Sequence, residues 1–284
     1  MNRLSPARRT QILTALVEGN SIRSTCRMTG AAKATVLRLL EQVGEACADH
    51  HDQIVRNVPA KTIQMDEIWS FCGAKSRNVP PEKRGFGRGD IWTWVALDPE
   101  TKLVLSWLVG PRSADAAEII AQDLKDRLAN RVQISTDGYN MYPPAIEGAF
   151  GWNGTDYAVL EKQYASAADP RSPERRYSPG VCIGAKASAV MGRPVKELVS
   201  TSIVERSNLT MRMQMRRFTR LTNGFSKKAE NHAYAVALHM VHYNFCRVHG
   251  TLTKRNKGIH TTPAMEAGLA DRVYKMSDLV LSLT

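Results

Sequence analysis

Three acidic residues stand in settings that suit chemistry on charged oxygens: Asp66 in Gln64-Met65-Asp66-Glu67-Ile68-Trp69-Ser70-Phe71, Asp137 in Ser135-Thr136-Asp137-Gly138-Tyr139, and Glu205 in Val204-Glu205-Arg206-Ser207-Asn208. Three carboxylates brought together repel one another unless divalent cations bind between them. Mg²⁺ takes hard oxygen ligands and keeps water or phosphate oxygens in its remaining positions. Two such ions about 3.5–4 Å apart can clamp the attacking and leaving oxygens of a phosphodiester. Water or a 3′-hydroxyl then serves as the nucleophile, and no side-chain nucleophile is needed. Asp66 taken alone also has a plainer reading, as a strand-end carboxylate salt-bridged to one of many arginines.

These acids must be positioned by particular elements. The run from Lys61 to Phe71 is rich in β-branched and aromatic residues and alternates loosely, so it reads as a strand that carries Asp66 into a sheet. Ile91–Leu97 and Leu103–Val109 read as the second and third strands, joined by a turn at Asp98-Pro99 in which Asp98 is a turn residue. Ser113 can cap a helix to about Asn130, Arg131–Thr136 reads as a fourth strand ending at Asp137, and Thr155–Leu160 as a fifth. A further helix, bent at Pro143-Pro144, is expected after Tyr139. Hairpins followed by right-handed crossovers allow a mixed sheet with helices on both faces. The first strand is then central with the fourth beside it, and Asp137 sits at a carboxyl end, where open α/β sheets place their sites. Glu205, in the first turns of a helix expected over Thr201–Phe218, can fold back over both.

Residues before this region read as helices. Ser5-Pro6 starts the first, Gly19-Asn20 ends it, Ser21 caps a second, and a third follows the Thr29-Gly30 turn. A short helix, a glycine turn and a basic helix resemble a helix-turn-helix, with Lys33, Thr35 and Arg38 facing a DNA groove; the plainer alternative is a three-helix bundle with a solvated face. Residues 1–48 are thus expected to be a DNA-binding segment and 49–60 a linker with His50-His51 solvated. The catalytic domain is expected over 61–265, interrupted by a Pro-, Ser- and Arg-rich surface insertion at 161–199, and a tail over 266–284.

Composition points the same way. The chain has 284 residues, a net charge of +12 and a 43% hydrophobic content, so a folded protein with an anionic partner is expected, most commonly nucleic acid. Five scattered cysteines without a CxxC argue against a disulfide framework and against a zinc ribbon. With no apolar leader and no long apolar run, the expected location is the cytoplasm, at the nucleoid, with no membrane partner. After Glu205 the charge becomes lopsided, with Arg212, Arg216, Arg217, Arg220, Lys227 and Lys228 opposed only by Glu230 as far as Lys257. Arg212 shares a helical face with Glu205 and Asn208, and Arg216, Arg217 and Arg220 suit phosphate contacts. Asn208, Asn244 and His249 are candidates for the pocket around the acids. His239 and His242, although three residues apart on one helix, read as core histidines, and Trp69, Trp92, Trp94 and Trp107 as packing residues.

The three acidic blocks together resemble the signature blocks of DDE transposases of the insertion-sequence-one group. The run Arg216–Ser226 looks like that group's segment after the glutamate. Tyr243-Asn244, Arg247, His249, Leu252 and Thr262-Pro263-Ala264 are similar to the tail of many transposases and retroviral-type integrases. The resemblance spans roughly residues 60–265. It implies an RNase H-like fold with Asp66, Asp137 and Glu205 as catalytic, metal-binding residues holding two Mg²⁺ or Mn²⁺ ions. It also implies cleavage at transposon ends, joining of the 3′-hydroxyl to target DNA, and a homo-oligomer on paired double-stranded ends. Relatives often carry a zinc-binding segment ahead of the helix-turn-helix, which this sequence does not match. A DNA-binding regulator with an inactive catalytic fold, or an RNase H-like nuclease without strand joining, are the alternatives.

Overall fold

The structure is a computed structural model that describes residues 4–83, 85, 87–165, 181–219 and 222–281. Its centre is strand β1 (Thr62–Cys72), which is hydrogen-bonded on both sides. On one side β2 (Gly89–Leu97) and β3 (Val104–Gly110) follow antiparallel. On the other, β4 (Gln133–Thr136) and β5 (Asp156–Tyr164) are parallel to their inner neighbours, and β6 (Cys182–Met191) closes the edge antiparallel. The order β3-β2-β1-β4-β5-β6 makes a six-stranded mixed sheet. An antiparallel meander that passes into parallel crossovers is the RNase H-like arrangement expected from the sequence.

β1 separates two apolar layers because its side chains alternate. Ile63 and Met65 point into a large core with Ile120 and Leu124 of α4 (Ala114–Arg127) and Ile146 of α5 (Tyr142–Phe150). Ile68 points to the other face, where it meets Val204 and Met211 of α6 (Ser202–Gln214) and Val236 and Met240 of α7 (Ala229–Val241). Asp98 stays in the β2–β3 turn, accepting hydrogen bonds from Glu100 N (2.8 Å) and Thr101 Oγ1 (2.6 Å).

The amino-terminal helices are α1 (Pro6–Val17), α2 (Ile22–Thr29) and α3 (Lys33–Ile54). Ser5 and Ser21 cap the first two through Arg8 N (3.3 Å) and Ser24 N (3.0 Å), and Gly30 turns the chain with a φ of +64°. α3 runs past the boundary expected at residue 48, so residues 49–54 are helix rather than linker. His51 is correspondingly buried instead of solvated: its Nε2 lies 3.1 Å from Val104 O and its ring meets Trp107 edge-on at 4.2 Å. The physical cause is that one apolar stripe continues along α3 through Leu40, Val43, Cys47 and Val55, joining the same core as Ile63 and Ile134. α3 and α7 approach so closely that a Cβ at Gly44 would lie 2.5 Å from Tyr234 Cβ. The expected tail also packs down, since α10 (Met276–Leu281) lies against α1 with Leu279 and Val280 buried.

Further differences have local causes. The helix expected over Thr201–Phe218 stops at Gln214, and Arg216–Phe218 form a 3₁₀ turn. The next helix starts at Ala229, and just before it the Ser226 hydroxyl is taken by Arg217 Nη1 (2.9 Å) and His232 Nδ1 (2.8 Å). That helix ends at Val241 and passes into a π turn over His242–Cys246. Within the expected insertion, β5 continues to Tyr164 and pairs with β6. β6 lacks an apolar alternation because it is an edge strand running out past the core, exposed along most of its length. Pro170, Pro173 and Pro179 of that expectation lie outside the described residues.

Candidate acidic cleft

β1 delivers Asp66 and β4 ends immediately before Asp137, so the parallel pairing of these strands sets the two acids side by side. Carboxylate oxygens of Asp66, Glu67 and Asp137 all lie within 4.8 Å of one another. Asp137 is fixed by an Asx turn, accepting from Tyr139 N at 3.0 Å. Asp66 accepts from Asn208 Nδ2 at 2.8 Å. Burial, followed by the charges of Glu67 and then Asp137, pushes the Asp66 carboxyl up to about 7. A carboxyl held so far above its ordinary range lacks counter-charge. Clustered carboxylate oxygens with that deficit fit a hard divalent cation, so the donor set suits Mg²⁺ or Mn²⁺.

Glu205 arrives from the other layer. α6 is seated on β1 by Gln64, whose Oε1 accepts from Ile203 N (2.9 Å) and Val204 N (3.1 Å) at the first turn of the helix. Thr201, at the N-cap position, makes no capping bond; its hydroxyl donates to Glu205 Oε1 at 2.6 Å. Gln64 and Asp66 share one face of β1, so the same strand positions the first acid and the helix that carries the third. Replacing Gln64 with Leu strands two helix N–H groups, and urea unfolding at 25 °C should show a loss of about 1–3 kcal/mol. An unchanged midpoint would mean that α6 is held by its apolar face alone.

Asp66, Asp137, Glu161 and Glu205 line a cleft of about 610 Å³ together with Arg112, Asn140 and Lys162. Glu205 lines this cleft but is not part of the close cluster; it forms an ion pair with Lys162. Glu67, which the sequence reading passed over, is the buried member of the cluster. It accepts from Arg112 Nε (2.7 Å) and from the Tyr142 hydroxyl (2.9 Å). Burial and then Asp137 hold its carboxyl above the ordinary range, against the pull of Arg112. Arg112 itself is sandwiched between the rings of Trp92 (4.8 Å) and Tyr139 (3.8 Å). The one available signal for Glu67 was its adjacency to Asp66. Arg112 and Lys162 carry no local mark, because only the folded sheet brings them to β1.

The other sequence candidates scatter. Asn208, 3% exposed, touches Asp66 as described, while its Oδ1 has no partner among the described residues. Asn244 is spent on β3, donating to Val104 O (2.9 Å) and accepting from Val104 N (3.0 Å), away from the cleft. His249 is not in the cleft lining; burial and then the nearby charges of Lys102, Arg247 and Arg255 lower its pKa. Arg212 is half-buried on α6 outside the cleft lining. Arg217 turns inward to Ser226, whereas Arg216 is exposed; Arg220 lies outside the described residues. Lys33 and Arg38 are exposed on α3 and Thr35 is half-buried. No described helix is long and apolar enough to cross a membrane.

No protein-family model and no curated protein matches the chain. Among solved structures, the simian T-cell lymphotropic virus intasome in complex with PP2A regulatory subunit B56 gamma aligns over 95% of this chain and 76% of its own, at 13% identity and a TM-score of 0.41. The piggyBac transposase synaptic complex with hairpin DNA aligns over 98% and 70%, at 12% identity and a TM-score of 0.45. The Mos1 mariner paired end complex with Mn aligns over 55% and 59%, at 13% identity and a TM-score of 0.24. None is close enough in trace or sequence to assign this chain a family.

Proposed function

We propose that this chain is a divalent-metal-dependent DNA transposase of the DDE type, of the insertion-sequence-one group that its sequence blocks resemble, cutting at element ends and joining the 3′-hydroxyl to target DNA. The observation that carries the reading is the clustering of the Asp66, Glu67 and Asp137 carboxylates, with Asp66 and Asp137 opening on a cleft that Glu205 also lines. Asp66, Asp137 and Glu205 would hold the ions. When bound, two such ions supply an activated oxygen nucleophile and stabilise the leaving oxygen of a phosphodiester.

The remaining steps belong to the chain's own residues. Asn208 orients the Asp66 carboxylate through its side-chain amide. Tyr139 N–H holds one oxygen of Asp137 and leaves the other free to turn into the cleft. Arg112 offsets part of the burial that raises the Glu67 carboxyl, and so favours the negative field that draws cations in. Lys162, once released from Glu205, joins Arg112 as a cation of the cleft that a DNA phosphate can meet. Exposed Lys33, Arg38 and Arg216 supply duplex contacts, and pairing two ends calls for at least two copies of the chain.

The test is strand transfer, using purified protein, a labelled duplex carrying the ends of the element that flanks the gene, and supercoiled plasmid. Wild type with Mg²⁺ or Mn²⁺ should give joined product. Glu205→Gln should give none while retaining duplex binding within a few-fold. Nicked but unjoined DNA would instead indicate a nuclease, and binding without any cleavage a regulator.

A further inference from the structure

A second cavity, of about 570 Å³, opens between the amino-terminal helices, the 215–228 segment and α7. No residue lines both this cavity and the acidic cleft. Arg23 of α2, Lys33 of α3, and Arg216, Lys227 and Lys228 of the later segment converge on it. The described lining contains no carboxylate, and none of these five cations has an ion-pair partner among the described residues. Their proximity is unfavourable without an anion. Lys227 registers it: partial burial and then the charges of Arg23 and Lys33 lower its pKa.

The floor has the opposite character. Leu16, Ile22, Leu37 and Leu238 line it, and Phe225 presents a ring with Lys227 Nζ 3.4 Å from its centroid. On the inner wall, His239 is 3% exposed and its Nδ1 finds no partner among the described residues. Burial pushes this histidine down to about 3, so it offers a hydrogen bond and no charge. A buried polar atom left without a partner costs free energy unless a ligand or water satisfies it. Asn231 on the same wall adds an amide.

We propose that this cavity is a nucleotide-binding site, taking a phosphate on the Arg23, Lys33 and Lys227 cations and a base on the apolar floor with His239 and Asn231 at its edge. A clustered-cation rim selects phosphate. The apolar side chains of the lining suit a base. The volume falls within the range of small-ligand pockets, about 300–1,000 Å³. The same chemistry is presented by a free nucleotide and by an unpaired nucleotide of a DNA strand.

The experiment is equilibrium dialysis of the full chain in EDTA, which keeps divalent ions from recruiting phosphate to the acidic cleft and makes the result independent of strand transfer. The probes are thymidine 5′-monophosphate, thymidine and inorganic phosphate. Saturable uptake of the monophosphate, at least tenfold tighter than of either fragment, is expected. Arg23→Gln/Lys227→Gln should weaken it at least tenfold without lowering Tm, since the change relieves repulsion. Displacement by pentathymidylate would identify a strand nucleotide as the ligand, and its failure to displace a free one. No saturable uptake, equal uptake of phosphate alone, or an unaltered double variant would each overturn the assignment.

Discussion

Asp66→Asn should cut metal-dependent strand cleavage on the order of a thousandfold or more, and the same protein should be more stable than wild type when no metal is present. Both effects come from one cause. The Asp66 carboxyl is held at about 7 against an ordinary value of 3.8, chiefly by burial and then by Glu67 and Asp137. A carboxyl raised on folding makes the native state bind the extra proton, so wild-type stability falls as pH rises between these two values. Asparagine keeps the shape and can still accept from Asn208, and it carries no charge to bury. At pH 8 the variant should gain as much as roughly 4 kcal/mol, an upper bound at about 1.4 kcal/mol per unit. The gap should close as pH falls through 7 toward 4. Saturating Mn²⁺ should reverse the order of Tm values, because the ion stabilises only the protein that binds it. A variant that melts no higher than wild type at pH 8 in EDTA would show that Asp66 already has its counter-charge.

The second large effect concerns the pair behind the cleft. Arg112→Met should destabilise the metal-free protein by about 2–3 kcal/mol at pH 8, less than a fully buried pair would lose because Arg112 is partly solvated. The Glu67 side chain is 2% exposed and the Arg112 side chain 35% exposed. Glu67 is left with the Tyr142 hydroxyl as its donor. Since its carboxyl already lies above the ordinary range, the deficit should shrink as pH falls and Glu67 takes up a proton. Arg112→Met/Glu67→Gln should recover most of the loss, and urea denaturation of the four proteins forms the cycle that reads the coupling. Additive single and double losses would mean that Glu67 and Arg112 do not depend on each other.

Much of the sheet and of its acidic cleft was legible in the sequence, for identifiable reasons. β1 carries a strong strand pattern with an acid inside it, and the hairpin and crossover lengths after it left few topologies. The mixed sheet and the neighbouring positions of Asp66 and Asp137 follow from those constraints. What could not be read was set by packing between distant segments. Arg112 and Lys162 are ordinary surface-type residues until the sheet folds. Glu67 looks like an outward neighbour of Asp66, yet it is covered by α5 through Tyr142. β6 has no apolar rhythm because an edge strand needs none. α3 was cut short because the histidine pair near its end reads as polar, whereas His51 is held by a β3 carbonyl.

The close approach of α3 to α7 at Gly44 has a mechanical meaning under the proposal that the chain reads one stretch of DNA and cuts another. The helices that would grip the sequence and the sheet that would cleave it are welded through one apolar interior rather than tethered. On the proposed reading, the spacing in base pairs between the recognised segment and the broken bond is then a ruler built into a single copy of the chain. An element whose ends drift from that spacing cannot be accommodated by a swinging arm, and must instead be bent, untwisted or left uncut.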